Sequence, residues 1–152
     1  MNLIKRIDRI FGQVGQHCQP FSWALLRILG SAMFLTHGWP KMFGPEAQPF
    51  LFSNGGMDFF GLNIIVNTLW IAGFIELFGG LLLVAGLFTR YVAALAALLM
   101  VMAYLAAHPA WFPTLNNGEL AAMYFMVYLC IFAYGPGKFS LDHVLGMEGK
   151  TR

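Results

Sequence analysis

The sequence predicts an all-α integral membrane fold: a four-helix bundle, N-in/C-in, preceded by an N-terminal amphipathic helix at the interface. Three observations predict it. Of the 152 residues, 59% are hydrophobic and only 11% charged, with a mean hydropathy of +0.67, whereas soluble proteins carry about 25% charged residues. Four long apolar runs follow one another along the chain. The basic residues collect on one side of those runs. A soluble domain of this size could not hide so much apolar surface and still present a wet exterior.

The elements follow in order. Residues 1–20 form an interfacial segment. Within it, Leu3, Ile4, Ile7, Ile10, Phe11 and Val14 lie near one helical face and Lys5, Arg6 and Arg9 on the other, the pattern of a helix resting on an anionic leaflet. Residues 21–135 form the four-span domain. Its spans run from Phe21 to Gly38, Ile64 to Phe88, Tyr91 to Ala107 and Glu119 to Tyr134. A crossing needs about 20 apolar residues. Trp23, Trp39, Tyr91, Tyr104, Trp111 and Tyr134 would carry the shorter spans through the interface. Pro40 should end or kink the first helix at Trp39, and the Pro-, Gly- and Phe-rich loop from Trp39 to Asn63 should dip into the interface. Residues 136–152 form a tail: a turn, then a short helix with Ser140 as its N-cap. An even number of spans puts Lys5, Arg6, Arg9, Arg90, Lys138, Lys150 and Arg152 on one side and Lys41 on the other. That asymmetry makes both termini cytoplasmic.

Several classes are excluded. The net charge of +2 is small and scattered, and no basic stripe with interleaved aromatics exists, so nucleic acid is not a partner. Cys18 and Cys130 are too few and too far apart for a disulfide framework or a metal cage. On the reducing side they are not expected to pair. The N-terminus does not read as a signal peptide.

Charged residues inside spans are costly and usually face the bundle interior. Glu76 lies near the middle of the second span, with Ala72, Gly73, Gly79, Gly80 and Leu83 on its side of the helix. That row of small residues, Gly79 and Gly80 included, invites another helix to pack closely. Glu76 is then either a structural carboxylate, protonated or paired with an arginine, or an acid that handles protons or a ligand. Arg27, Ser31, Phe34, His37 and Lys41 share one face of the first helix. Arg27 could snorkel to the inner surface or stretch to Glu76, forming a deep layer with it. His37, Lys41, His108, Asn116, Asn117 and Glu119 gather at the outer rim. Glu119 also suits the first turn of a helix, with Asn116 or Asn117 as its cap. Two histidines and a carboxylate could ligate a metal, but no two sit at i, i+3 or i, i+4, so no metal is expected. Met100, Met102, Met123, Met126 and the aromatics of the fourth span could be core or could line a quinone-sized slot.

Three segments carry a resemblance: LLRILGSAMFLTHGWPKMFG, IELFGGLLLVAGLFTR, and HPAWF with NNGELAAMYFMVYLCIFAYGPGKFSLD. From about residue 22 to 142 the chain resembles the DoxX family of small bacterial membrane proteins. The shared residues are Arg27, His37, Gly38, Lys41, Glu76, Gly79, Gly80, Asn117, Gly118 and Glu119. The resemblance implies a four-helix fold in the bacterial inner membrane. It also implies a small or accessory subunit of a quinone-linked oxidoreductase system, with a membrane or redox protein as partner. No cofactor is required by the sequence: there is no haem-ligand pair within a span, no iron–sulfur cysteine set and no nucleotide motif, so the chain cannot carry electrons alone. Its share would be a quinone slot. The alternatives are a non-catalytic membrane scaffold or assembly partner, or a small transporter, which four helices would suit only as a homo-oligomer.

Overall fold

The computed structural model describes residues 2–45, 47, 57–58 and 65–147. They form helices joined by turns, with a two-stranded antiparallel ladder, β1 (Met57–Asp58) with β2 (Ile65–Val66), in which Met57 faces Val66 and Asp58 faces Ile65. The rest of the Trp39–Asn63 loop and the basic residues Lys150 and Arg152 lie outside the described residues.

Helix α1 (Asn2–Phe43) runs for 42 residues through both Pro20 and Pro40. The interfacial segment and the first span are therefore one uninterrupted helix. The predicted break at Pro40 does not occur. Proline there removes one amide donor, but the last turn is held from outside. Gly38 is wedged against the next helical rod and Lys41 is ion-paired to it.

The next rod, Thr68–Ala85, is built in three parts: α2 (Thr68–Phe74), a π-helical turn (Ile75–Gly79) and α3 (Gly80–Ala85). Asn67 opens it, its side chain accepting from the Trp70 amide at 3.0 Å. Left-handed Gly86 closes it. Helix α4 (Thr89–Ala107) follows almost at once, then a 3-10 turn (Pro113–Asn116), α5 (Glu119–Tyr134) and the short α6 (Leu141–Val144).

α1 packs along the α2–α3 rod, α4 packs along α5, and the two pairs meet through α1 with α5 and the π turn with α4. The core comprises Phe34, Leu83, Ala93, Ala96, Ala97, Met100, Tyr124, Tyr128 and Ile131. Alanines at 93, 96 and 97 repeat with helical spacing and leave α4 a thin inner face on which the large α5 side chains seat. Outward, α4 exposes Leu95, Leu98, Met102 and Leu105, and α5 exposes Leu120, Met123, Met126, Leu129 and Phe132.

Two helical rods, Thr68–Ala85 and Thr89–Ala107, are long and apolar enough to cross a membrane, and only 33% and 28% of their residues are buried. A core helix of a soluble protein would be mostly buried. α5 is as apolar but shorter, at 16 residues.

Gly38 marks the closest helix approach. A Cβ there would sit 2.5 Å from the Leu77 amide nitrogen and 2.7 Å from the Gly73 carbonyl. Gly38→Ala should therefore cost about 1–3 kcal/mol of stability. Gly30→Ala, whose methyl would meet only Val127 at 3.5 Å, should be neutral or stabilising by up to about 1 kcal/mol. Thermal unfolding of the two variants in detergent checks this; equal melting temperatures would contradict the packing.

Candidate functional site

The site begins with the antiparallel register of α1 against α2–α3. Absent methyls give the order: Gly80 lies against Leu35, with the Ser31 carbonyl alongside, Gly38 against Glu76 and Leu77, and Gly73 against the Lys41 Cβ. Gly79 instead meets Val92 of α4. Neighbouring residues of a helix point about 100° apart, which turns the two glycines onto different partners.

Glu76 sits within that turn and is buried. Lys41 Nζ donates to both of its carboxylate oxygens at 2.6 Å. The lysine side chain remains 31% exposed while that of the glutamate is 6% exposed, so the pair is a buried acid reached by a base from the rim. The expected pairing of Arg27 with Glu76 is overturned. Fourteen residues separate Arg27 from Lys41, about 21 Å along a helix, and the antiparallel rod brings Glu76 to the Lys41 end.

Beside this pair runs a column of hydroxyls and rings. Phe34 packs on Tyr128 at 4.9 Å and Tyr124 at 5.6 Å, Tyr124 stacks on Tyr128 at 6.0 Å, and exposed His37 meets the Tyr124 ring edge-on at 6.0 Å. The hydroxyls of Ser31, Tyr124 and Tyr128 are buried with no hydrogen-bond partner among the described residues. Those of Ser31 and Tyr128 lie near enough to interact without reaching hydrogen-bond geometry. Buried hydroxyls normally find partners, so three orphans beside an acid mark a place where water or a ligand belongs.

A cleft of about 280 Å³ opens between α4 and α5, lined by Met100, Tyr104, Leu105, Trp111, Pro113 and Phe125 among others. Met100 also belongs to the core around Tyr124, while Ser31, Tyr124 and Tyr128 do not themselves line the cleft. Of the rim residues, His108 Nδ1 pairs with the Asn116 carbonyl at 2.8 Å, and a Cβ on Gly118 would press on Tyr104 and His108. Asn117 is left-handed (φ 52°), a conformation Asn tolerates, and Gly118 rather than either Asn precedes α5 with no side-chain cap. Glu119 is exposed. The rim group thus divides into Lys41 with Glu76, His37 with Tyr124, and His108 with the Asn116–Gly118 turn. Among the described residues no three His, Cys, Asp or Glu converge as metal ligands.

Fourteen residues earlier in α1, Arg27 is fully buried. Its Nη1 donates to the carbonyls of Leu83 (2.5 Å) and Val84 (2.9 Å), Nη2 to Phe139 (2.5 Å) and Nε to Pro136 (3.1 Å). Gly86 lets the guanidinium in: it adopts φ +70°, and a Cβ there would lie 2.8 Å from Arg27 Nη1. Three further residues, none of them a candidate site residue from the sequence, complete this collar. The Asp142 carboxylate accepts from the Phe88 and Thr89 amides, each at 2.8 Å, capping α4 and steadying left-handed Phe88 (φ 50°). Arg90 Nη1 donates to the Phe132 (2.6 Å) and Ala133 (2.9 Å) carbonyls at the end of α5. Trp23 Nε1 donates to the Gly135 carbonyl at 3.0 Å. Ser140 caps α6 as predicted, accepting from the His143 amide. The available clue was the run GPGKFSLD after the fourth span, where glycines and a proline bend the tail back under the bundle.

The DoxX family model matches residues 22–109. A Haemophilus influenzae protein described as uncharacterized is 35% identical over 130 residues, covering 82% of this chain and 91% of its own length. No solved structure matches.

Unequal burial across the ion pair predicts unequal mutants. Lys41→Met strands the buried carboxylate and should cost about 3 kcal/mol or more. Glu76→Gln leaves an ammonium that can swing to the rim and should cost about half as much. The double variant should recover most of the Lys41→Met loss. Melting temperatures of the three in detergent test the cycle, and equal, additive losses would refute it. At the collar, Arg27→Lys should fail to rescue, since one ammonium cannot reach acceptors in α3 and in the tail together. Wild-type thermal stability in that variant would contradict the collar.

Proposed function

The chain belongs to the DoxX family, and on that premise we propose an inner-membrane protein of four crossings that holds a quinone for a partner oxidoreductase. One observation carries the reading: the buried Lys41–Glu76 pair stands beside three hydroxyls that have no protein partner among the described residues. Support for the crossings comes from the outward leucines, methionines and phenylalanines of α4 and α5, which lipid would cover. Exposed Tyr91 and Tyr134 at one end, and Trp39 and Trp111 at the other, suit the two interfaces. Arg90 and Lys138 lie with the former, Lys41 with the latter, and the positive-inside rule then makes both termini cytoplasmic.

A quinone head group is flat, apolar on both faces and carries two carbonyl acceptors. Hydroxyls of Tyr124, Tyr128 and Ser31 and the Lys41 ammonium are donors of the right kind. Met100, Trp111 and Phe125 offer an aromatic and thioether wall. Reduction of a quinone takes up two electrons and two protons. The partner supplies the electrons, while Glu76 and the hydroxyls beside it can hold and pass protons. Gly79 and Gly80 are occupied by packing within the chain, so they offer no free face for a scaffold partner.

Binding of a short-chain benzoquinone is read by quenching of tryptophan fluorescence, since Trp111 lines the cleft. Wild type should quench saturably and Trp111→Phe should lose most of the signal. Glu76→Gln and Tyr124→Phe should each weaken binding about tenfold, or ~1.4 kcal/mol. Absence of saturable quenching in the wild type, or unchanged affinity in both site variants, would overturn the assignment.

A further inference from the structure

The second large cavity lies at the collar end, outside the site described above. It measures about 420 Å³, and its walls include Phe88, Tyr91, Ala94, Phe132 and Met147, with Thr89, Arg90 and Asp142 at its polar end. We propose that this cavity binds one anionic phospholipid of the cytoplasmic leaflet, its phosphate on Arg90 and Thr89 and an acyl chain along the α4–α5 groove.

Charge is the first reason. Asp142 is the acidic group in the lining, and both of its oxygens are occupied by the Phe88 and Thr89 amides. It also interacts electrostatically with Arg27. Arg90 therefore shares the lining with one carboxylate that is already engaged, and the α4 N-terminus adds partial positive charge. Arg90 is locked in place by the Phe132 and Ala133 carbonyls, both taken by Nη1. Its Nη2 and Nε have no acceptor among the described residues, and no carboxylate pairs with it there.

The second reason is independent. Thr89 is fully buried, lines the cavity, and its hydroxyl has no partner among the described residues. A phosphate oxygen would satisfy it and Arg90 together. The rest of the lining is apolar and continues into the exposed face of α4 at Tyr91 and Leu95. A polar anchor at one end and an apolar trough at the other matches an amphiphile, not a free ion. Basic pockets between helices on the cytoplasmic side suit acidic head groups.

The inference rests on the membrane reading but not on quinone binding. Full-length protein in detergent is exposed to phosphatidylglycerol and phosphatidylcholine in equal amount, and retained lipid is counted by native mass spectrometry. Wild type should retain phosphatidylglycerol about fivefold over phosphatidylcholine. Arg90→Gln should abolish that preference, and so should Ala94→Trp, which fills the trough while keeping the arginine. Lys138→Gln, outside the cavity lining, should not change it. Melting temperatures without added lipid establish that each variant is folded. No preference in the wild type, or its survival in folded Ala94→Trp, would overturn the proposal. So would displacement by millimolar inorganic phosphate, which would make the ligand a soluble anion. If alkaline carbonate releases the protein from membranes, the membrane reading itself falls; retention without lipid preference refutes this inference alone.

Discussion

A guanidinium sealed from water must be met by acceptors on every side, and Arg27 is met by backbone carbonyls. Desolvating such a group costs several kcal/mol unless its donors are engaged. The acceptors come from two places far apart in sequence, the end of α3 and the tail after α5. Satisfying one side chain therefore fixes where three segments meet. The tail cannot drift from the α3–α4 turn without stranding the charge. With Asp142 on the amides that open α4 and Arg90 on the carbonyls that close α5, each helix end in the collar acquires a partner of opposite polarity.

The other end of α1 solves a different problem. There the chain buries a carboxylate, and the π turn makes room for it. At its end Gly79 meets α4 and Gly80 meets α1. Such turns carry a cost and recur at functional positions. Here the turn delivers Glu76 to Lys41 and leaves tyrosine and serine hydroxyls on the far side of the acid without company. Stability alone does not account for orphan hydroxyls in a core, since phenylalanine and alanine would pack as well.

Much of this was legible in the residues. Apolar runs announced the helical rods within a few positions, because nothing else accommodates so many leucines and phenylalanines. The small residues around Glu76 indicated that the acid faces another helix. Its partner was not legible. Arg27 and Lys41 are equally cationic and share a face of α1, and choosing between them needs the antiparallel register, which a sequence does not print. The acceptors of Arg27 were hidden for a related reason: every residue has a carbonyl, so no residue type reveals which are used. Asp142 carries no mark in the sequence of the distant amides it caps. Pro40 misled because its local preference is real but weaker than the packing at Gly38 and the ion pair at Lys41.

The spacing of the two charge centres along α1 bears on how the chain enters a bilayer. A lone acid or base at mid-membrane costs about 2.5–3.5 kcal/mol on insertion scales. Lys41 and Glu76 lie on helices consecutive among the long rods and antiparallel, so α1 and the α2–α3 rod can partition together as a hairpin with the acid and base already neutralised. Arg27, about 21 Å away, then stays near the head groups until the tail arrives to enclose it. On the proposed membrane reading, residues Pro136 to Asp142 are the latch that closes over Arg27 and Thr89 once the helices before them are in place.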